Sequence, residues 1–503
     1  MSKIEQFTAI INEGYATKGD HIVLGAALLD GEALGDAVVK IPLKTLNRHG
    51  LIAGATGTGK TKTIQVLSEQ LSGYGIPVLM MDIKGDFSGI AKEGEVKSFI
   101  TERHDKINIP FEPKSFPVEL LTLSEQEGVR LRATVSEFGP VLFSRILDLN
   151  ETQSGVISVI FKFCDDQKMP LLDLKDIKKM INYITEEGKE AIEESYGKIS
   201  TATTGTILRK IIELEQQGGD IFFGETSFDV QDLMRFDQNG KGYVNIMRLT
   251  DIQDKPKLFS TFMLSLLAEI YHVMPERGDA DQPELVIFID EAHLIFKEAS
   301  KALLEQIETI VKLIRSKGVG IYFITQNPMD VPSGILAQLG LKIQHALRAF
   351  TANDRQAIKQ TADNYPSSDF YQTDEVLTSL GIGEAFVTAL SEKGIPTPLA
   401  ATMLRAPESR MDILTDDEIK AINDQSKLVR KYEATIDRES AFEMLTQKIT
   451  EAQEAATEEA ADTPERDSEP STASVVGKSV LKVVTSATFI RGAFGVLMKL
   501  FKK

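Results

Sequence analysis

The sequence predicts an α/β fold with a mostly parallel sheet, and three apolar runs support this. The first, Leu51–Ala53, leads into a glycine-rich loop that is followed by apolar residues at helical spacing. The second, Ile76–Asp82, follows that helix, and a short strand–helix–strand crossover implies parallel pairing. The third, Leu285–Ile289, is apolar at every position, as is typical of a strand buried on both faces of a parallel sheet.

Length and composition indicate a globular protein with more than one structural unit. The chain has 503 residues, of which 42% are apolar and 26% charged. Its formal net charge of −18 argues against a basic surface over the whole exterior, so nucleic acid would have to meet a local groove. Residues 301–360 are the exception, because they carry more Lys and Arg than acids.

The single cysteine, Cys164, excludes a disulfide framework and a cysteine-based zinc site. Its apolar neighbours favour a small core residue. The first thirty residues lack a basic start followed by an apolar run, and no uninterrupted apolar stretch reaches about 18 residues. We therefore expect neither a signal peptide nor a membrane span, and a reducing, cytoplasmic setting.

Residues 1–45 predict a short β-rich lead-in, since brief apolar runs alternate with turn signals at Asp30-Gly31 and Gly35-Asp36. The first part of the core is then expected over residues 46–116. A run of helical spacing over 117–235 predicts a packed helical insertion, because a structureless loop of that length would be improbable. The second part of the core is expected over 236–410.

A phosphate-binding loop is predicted at Gly54–Thr61, which fits the spacing G-x-x-x-x-G-K-[ST] between a strand and a helix. Backbone N–H groups and the positive end of the helix would converge on phosphate oxygens. We expect Lys60 to reach the β- and γ-phosphates and Thr61 to hold Mg²⁺. The alternative is a strand-to-helix turn that matches by chance. The expected nucleotide-binding residues are Gly54, Ala55, Thr56, Gly57, Thr58, Gly59, Lys60, Thr61 and Lys62.

Two carboxylates, Asp290 and Glu291, follow the apolar run Leu285–Ile289 directly. A buried parallel strand delivers its last side chains to the edge where open α/β sheets bind ligands. We therefore expect Asp290 to bind Mg²⁺ and Glu291 to act on the attacking water. Adjacent carboxylates can also be solvated surface charge, but the apolar strand in front argues against that here. Asp82 is expected at the same edge, or simply as the first residue of a turn.

Further candidates follow the next predicted strands. Gln326 ends the run from Val319 and could sense the γ-phosphate or orient water, or be an ordinary strand-end residue. Arg315, Arg348 and Arg355 are expected near the ligand edge, where one could be an arginine finger from a neighbouring subunit. A surface salt-bridge role is the alternative for each.

The C-terminal region divides into three parts by composition. Residues 411–456 predict helices that begin at the capping-box spacing of Thr415 and Glu418. Residues 457–474 predict an acidic disordered linker. Residues 475–503 carry six Lys and Arg and no acid among apolar clusters, which predicts a basic apolar helix. Such a helix could lie on an anionic membrane surface or dock on a partner.

Together these motifs resemble the HerA-like branch of the HerA/FtsK superfamily, and most closely its bacterial YjgR-type members. The likeness covers about residues 42–410. It is carried by the segments Asn47–Thr61, Phe222–Glu225, Asp290–His293, Arg315–Gln326 and Gln344–Phe350.

The resemblance implies a RecA-like core and ATP hydrolysis, with Asp290 binding Mg²⁺ and Glu291 as the catalytic glutamate. It also implies a homo-oligomer of the hexameric ring kind that moves DNA. The superfamily's DNA translocases often carry an N-terminal barrel, whereas residues 1–45 predict only a short lead-in, and the phosphate-loop match does not depend on that barrel. The alternative is an ATPase that acts on a protein or membrane-associated partner without nucleic acid, and a third hypothesis is a nucleotide switch without turnover.

Overall fold

One mixed β-sheet positions the candidate site. The structure is a computed structural model, and it describes residues 1–278, 280–297, 301–349, 351–434, 436 and 438–461. In chain order, the strands within these residues are β1 (His21–Leu29), β2 (Glu32–Pro42), β3 (Gly50–Ala53), β4 (Val78–Asp82), β5 (Val118–Thr122), β6 (Val129–Arg130), β7 (Val244–Arg248), β8 (Leu285–Ile289), β9 (Val319–Thr325), β10 (Leu341–His345), β11 (Glu384–Thr388) and β12 (Ala400–Leu404).

These strands form a single sheet in the order β2-β1-β12-β11-β10-β3-β9-β8-β4-β7-β5-β6. From β10 to β6 in that order every pair is parallel. The pairs from β2 to β10 are antiparallel. The four central strands β3, β9, β8 and β4 are buried at every residue, which explains their continuous apolar runs. The predicted α/β fold with a mostly parallel sheet is therefore confirmed.

Helices occupy most of the chain between the strands. None of those within the described ranges is long and apolar enough to cross a membrane. In chain order, the α-helices within the described residues are α1 (Lys3–Gly14), α2 (Lys60–Gly73), α3 (Ser98–Ile107), α4 (Val135–Ile146), α5 (Glu151–Gln167), α6 (Leu174–Thr185), α7 (Lys189–Tyr196), α8 (Thr201–Gln216), α9 (Gly219–Phe222), α10 (Pro256–Val273), α11 (His293–Lys297), α12 (Lys301–Ile314), α13 (Ser333–Leu336), α14 (Ala352–Ala362), α15 (Thr373–Ser379), α16 (Asp416–Gln425), α17 (Lys427–Glu433) and α18 (Ala441–Ala461).

The chain divides into two compact units. The first comprises residues 1–131 and 228–434 and contains the whole sheet. The second comprises residues 132–227 and the described residues after 434, and its helices are α4 to α9 and α18. Within the second unit, α6 packs against both α8 and α18.

These bounds correct several sequence-based boundaries. The helical insertion spans 132–227 rather than 117–235, because β5 and β6 join the sheet and residues 228–235 belong to the first unit. Both strands are short and follow no long alternating pattern, so the sequence concealed them. Helix α18 extends to Ala461, so residues 457–461 are helical rather than linker. The rest of the predicted linker and the basic apolar tail lie outside the described residues.

The lead-in over residues 1–45 contains two strands that meet at Asp30-Gly31, in line with the predicted β-rich segment, and also a helix that was not predicted. It begins with a helix, α1, which starts at a capping box in which Ser2 and Glu5 exchange side-chain and backbone hydrogen bonds. Its two strands, β1 and β2, extend the main sheet by pairing with β12 and with each other. The N-terminal residues are thus part of the first unit and not a separate β-rich module.

Candidate nucleotide-binding site

Four adjacent parallel strands bring the predicted site residues to one edge of the sheet. Strand β9 lies between β3 and β8, and β4 lies on the far side of β8. The ends of neighbouring strands lie side by side. Ala53 at the end of β3 is opposite Thr325 at the end of β9, and Ile289 at the end of β8 is opposite Met81, one residue before the end of β4. The residues that follow these strands therefore form a row at the carboxyl edge.

The glycine-rich loop connects β3 to α2 in a conformation that requires glycine. Gly54 has a φ of 150°, and a Cβ on it would lie 2.5 Å from the Cβ of His345. Gly59, which caps α2, has a φ of 110°. The loop is also fixed from outside, because the Ala55 N–H donates to the Ala346 carbonyl at 2.9 Å. The sequence thus specifies a tight, preformed loop at the start of a helix.

Lys60 points back into this loop. Its Nζ donates to the carbonyl oxygens of Gly54 at 2.7 Å and Ala55 at 3.1 Å, and the residue is 6% exposed. Burial lowers the pKa of the ammonium, and the nearby Lys84 lowers it further, whereas Glu291, Asp290 and Asp86 raise it. A buried cation next to the first turn of a helix, whose N–H groups lack intrahelical acceptors, is suited to an anionic ligand.

Thr61 links the loop to the turn that follows β4. Its hydroxyl donates to Asp86 Oδ2 at 3.1 Å. The other carboxylate oxygen of Asp86, Oδ1, is buried and has no hydrogen-bond partner in the described part of the chain. An orphaned buried carboxylate oxygen beside a threonine hydroxyl is a place where a cation or its bound water would fit.

Asp82 shapes that turn. It accepts hydrogen bonds from the backbone N–H groups of Gly85 at 2.8 Å and Phe87 at 3.2 Å. Asp82 is 2% exposed, and burial raises its pKa to about 6. Asp82 therefore has the turn-starting role that the sequence offers as an alternative, and its carboxylate also lies at the expected edge of the sheet.

Asp290 follows the last residue of β8 and is nearly inaccessible, at 4% exposure. Burial raises its pKa to about 6, although Lys84, 3.8 Å away from Oδ2, acts in the opposite direction. A bound divalent cation would offset the cost of burying this charge.

Glu291 is the centre of a small polar cluster. Its Oε1 lies 2.5 Å from the Lys84 ammonium and accepts from Gln326 Nε2 at 3.4 Å, and its Oε2 lies 3.1 Å from His293 Nδ1. Burial alone would raise the pKa of Glu291, but these partners, Lys84 first, hold it below its usual value. Glu291 is therefore ionised and oriented, which is the state needed to accept a proton from water.

The backbone of Glu291 has a φ of 45°, in the left-handed region that non-glycine residues rarely adopt. The strain turns the chain sharply after Asp290. It places two consecutive carboxylates in the same edge region although side chains of consecutive strand residues point to opposite faces.

These residues fit a nucleotide with Mg²⁺. The cradle supplies Lys60 and the helix N-terminus for phosphate, and Thr61, Asp290 and the orphaned Asp86 oxygen for the cation. Among the described residues there is no group of three or more His, Cys, Asp or Glu side chains that could hold a metal ion. Mg²⁺ is typically bound by one or two protein ligands together with phosphates and water, so this set suits it.

The other predicted residues are placed as follows. Gln326 contacts Glu291, so it belongs to the cluster. Arg348 follows β10 at the carboxyl edge, is exposed, and lies two residues after Ala346, which is bonded to the loop. Lys62 points away from the loop, because its Nζ donates to the Met411 carbonyl at 2.5 Å. Its backbone N–H in the first turn of α2 remains the group that could meet a phosphate.

The expectation that Arg315 lies near the ligand edge is wrong. Arg315 begins the short connection from α12 to β9, so it precedes a parallel strand and lies at the amino edge. It lies close to His49, which precedes β3. Burial lowers the pKa of His49, and the positive charge of Arg315 lowers it further. Residues before parallel strands lie at the edge opposite to those after them, and this rule excludes Arg315 from the nucleotide edge of its own subunit.

Sequence reasoning missed two residues of the site, Lys84 and Asp86. Both lie in the turn Asp82–Phe87 after β4. The turn itself was expected at this edge, but only its first residue was treated as a candidate. The available signal was the position of the turn after a buried parallel strand, which applies to all of its polar residues.

Comparison with known proteins agrees with this geometry. The family described as "Helicase HerA-like C-terminal" matches residues 28–491. The chain belongs to this family. The predicted resemblance to the HerA-like branch of the HerA/FtsK superfamily is confirmed, while the likeness to YjgR-type members stays a prediction.

Two relatives in this family carry the name "DNA double-strand break repair helicase HerA". The one from Sulfurisphaera tokodaii is 25% identical over 371 residues, which cover 71% of this chain and 66% of the relative. The one from Saccharolobus solfataricus is 23% identical over 427 residues, which cover 80% of this chain and 74% of the relative. The chain thus spans about two thirds to three quarters of the length of these relatives.

A solved structure shares the fold. The bacterial conjugative coupling protein TrwBdeltaN70 in its unbound form superposes with a TM-score of 0.52 at 13% identity, covering 81% of this chain and 95% of that protein. At this identity the likeness concerns the fold alone.

Proposed function

We propose that the chain is an ATP-hydrolysing motor of the HerA/FtsK type that acts on DNA. The observation that carries this proposal is the common edge, where Asp290 and Glu291 lie close enough to Lys60 to oppose the lowering of its pKa by burial. Membership of the helicase HerA-like family supports the motor assignment, and the printed names of the relatives support DNA as the partner.

Each residue then has a chemical role. Lys60 and the loop N–H groups bind the β- and γ-phosphates, and Thr61 and Asp290 hold the metal. Glu291 accepts a proton from the attacking water, and Gln326 keeps Glu291 and that water oriented. When bound, ATP and Mg²⁺ supply the electrophilic phosphorus and the neutralising charge.

We also propose a homo-oligomer, with a ring of six as the form implied by the family resemblance. Arg348 supports this, because it is exposed at the carboxyl edge. It lies two residues after Ala346, whose carbonyl oxygen accepts a hydrogen bond from the phosphate loop. An arginine in that position can reach a phosphate of a neighbouring copy. A cytoplasmic location, and contact of the tail with a membrane or a partner helix, remain predictions from composition.

The decisive measurement is ATP turnover by the purified chain with and without duplex or single-stranded DNA, at about 50 and 200 mM salt. We expect DNA to stimulate turnover at low salt and the stimulation to weaken at higher salt, because phosphate contacts release counterions. Lys60→Ala should abolish turnover. Basal turnover with no response to any nucleic acid at low salt would retain the ATPase and reject DNA in favour of a protein or membrane-associated partner.

A further inference from the structure

Lys84 is in direct contact with the proposed catalytic glutamate, and the proposed function does not use it. Its Nζ is 2.5 Å from Glu291 Oε1 and 3.8 Å from Asp290 Oδ2. About a third of its side chain is exposed, so it can change partners without unfolding its surroundings. It lies outside both motifs that the sequence assigned to the site.

The turn that carries Lys84 is fixed on both sides of it. Asp82 accepts hydrogen bonds from Gly85 and Phe87, and Asp86 accepts one from the hydroxyl of Thr61. Lys84 is therefore held between the carboxylate pair after β8 and the phosphate loop after β3.

Lys60 and Lys84 carry like charges and lie near the same two carboxylates, Asp290 and Glu291. The Lys60 ammonium is influenced directly by Lys84, which disfavours its charged form. Two ammonium groups that repel each other across one space are both stabilised by an anion placed between them. A terminal phosphate carries more negative charge than one carboxylate, so it can compete with Glu291 for Lys84.

Glu291 would keep one hydrogen-bond partner if Lys84 left it. Gln326 donates to Oε1 at 3.4 Å, and His293 Nδ1 lies 3.1 Å from Oε2 without forming a hydrogen bond. These two residues come from different elements, the end of β9 and α11. The carboxylate would then lose its strongest cationic partner while keeping its contact with Gln326.

We propose that Lys84 is a phosphate-sensing positioning residue. It pairs with Glu291 in one arrangement and contacts the terminal phosphate of a bound nucleoside triphosphate in the other, which leaves Glu291 available to water. This inference rests on the proposed function, because it requires that the loop binds a nucleoside triphosphate. It predicts that Lys84 distinguishes triphosphate from diphosphate.

The test is the ratio of affinities for a non-hydrolysable ATP analogue and for ADP, each with Mg²⁺, measured by titration calorimetry. Lys84→Met is expected to weaken analogue binding about tenfold, the loss of one charge contact, and to change ADP binding less than about twofold. Lys84→Arg should restore most of the ratio. Lys317→Met is the matched control, because Lys317 pairs with Glu276 at 3.1 Å next to the start of β9, at the opposite edge.

The outcomes separate this inference from the proposed function. If Lys84→Met weakens both nucleotides equally, or leaves the ratio unchanged while the wild type binds both, Lys84 is a structural ion-pair partner and the inference is wrong. If Lys84→Met raises turnover with an unchanged ratio, Lys84 merely inhibits Glu291 and the inference is also wrong. A wild-type chain that binds neither nucleotide overturns the proposed function and the inference with it.

Discussion

At the scale of single residues, the site is a balance of buried charges. Asp82, Asp290 and Glu291 are each less than about a tenth exposed, and Lys60 and Lys84 oppose them. Burial raises the pKa values of the two aspartates, whereas Glu291 is kept ionised by its partners. The surroundings thus give neighbouring carboxylates different pKa values, and these differences agree with the separate metal-binding and proton-accepting roles that we propose.

The role of Glu291 is tested by Glu291→Gln. The amide cannot accept a proton from water, so we expect turnover to fall by at least about a hundredfold. Nucleotide binding should persist, because Lys60 and the loop are untouched. Steady-state ATPase rates and calorimetric binding together check this. Glu284→Gln, at an exposed pair with Arg277 just before β8, is the matched control. Unaltered turnover in Glu291→Gln would favour a switch without hydrolysis.

A second residue-scale prediction concerns Glu69 on α2. Its carboxylate is 3% exposed and accepts hydrogen bonds from the backbone N–H groups of Glu408 and Ser409, both at 2.9 Å. Burial raises its pKa to about 7, from 4.5. The folded state therefore binds this proton more tightly than the unfolded state. Its contribution to stability is complete below pH 4.5 and is lost as the pH rises through 7.

We therefore expect the Tm of the wild type to fall more steeply between pH 5 and 8 than that of Glu69→Gln, which has no proton to lose. The upper limit of the difference is about 3 kcal/mol, at 1.36 kcal/mol for each pKa unit. Thermal unfolding at several pH values checks this. Equal slopes for the two proteins would show that Glu69 does not titrate in this range.

At the scale of elements, strand ends decide which parts of the site the sequence could predict. The loop and the pair Asp290–Glu291 were predictable, because each follows an apolar strand directly and each fits a motif. The same rule, applied strictly, would have placed Arg315 at the opposite edge. The sequence could not single out Lys84 as a site residue, because its contact with Glu291 depends on how the turn after β4 folds next to β8.

Short strands are the second reason why the sequence did not predict the whole fold. The two-residue strand β6 and the five-residue strand β5 carry too few residues for a period of two to be seen. Strand β5 joins the sheet by pairing with β7, which is more than a hundred residues away in sequence, and β6 pairs with β5. Tertiary pairing of this kind is not encoded in the local pattern.

The phosphate loop gives a prediction at this scale. A Cβ at Gly54 would lie 2.5 Å from the Cβ of His345 and 3.1 Å from its backbone. Gly54→Ala should therefore displace the loop, lower stability by about 1–3 kcal/mol and weaken nucleotide binding. Gly73→Ala, in the same loop-helix element, meets no atom within 4 Å and should be nearly neutral. Thermal unfolding and nucleotide titration of both variants test this, and equal behaviour would contradict it.

At the scale of the whole molecule, the basic surplus of residues 301–360 does not form a single patch. Arg315 and Lys317 lie before β9, at the amino edge, whereas Arg348 lies after β10, at the carboxyl edge. With a net charge of −18, DNA would have to be held by a local surface, and a ring of copies would provide one by repetition.

The site residues named here all belong to the first compact unit, from the loop at Gly54 to Arg348. A ligand stabilises the state that binds it, by about 2.7 kcal/mol when its concentration is a hundred times Kd. We therefore expect a non-hydrolysable ATP analogue to slow hydrogen exchange in peptides that cover residues 54–62, 82–86 and 290–293. Peptides from residues 132–227 should change little, because that unit supplies no site residue named here. Lys60→Ala is the control and should show no protection. Equal protection of both units would mean that the nucleotide also engages the helical unit, and that the site extends beyond the edge of the sheet.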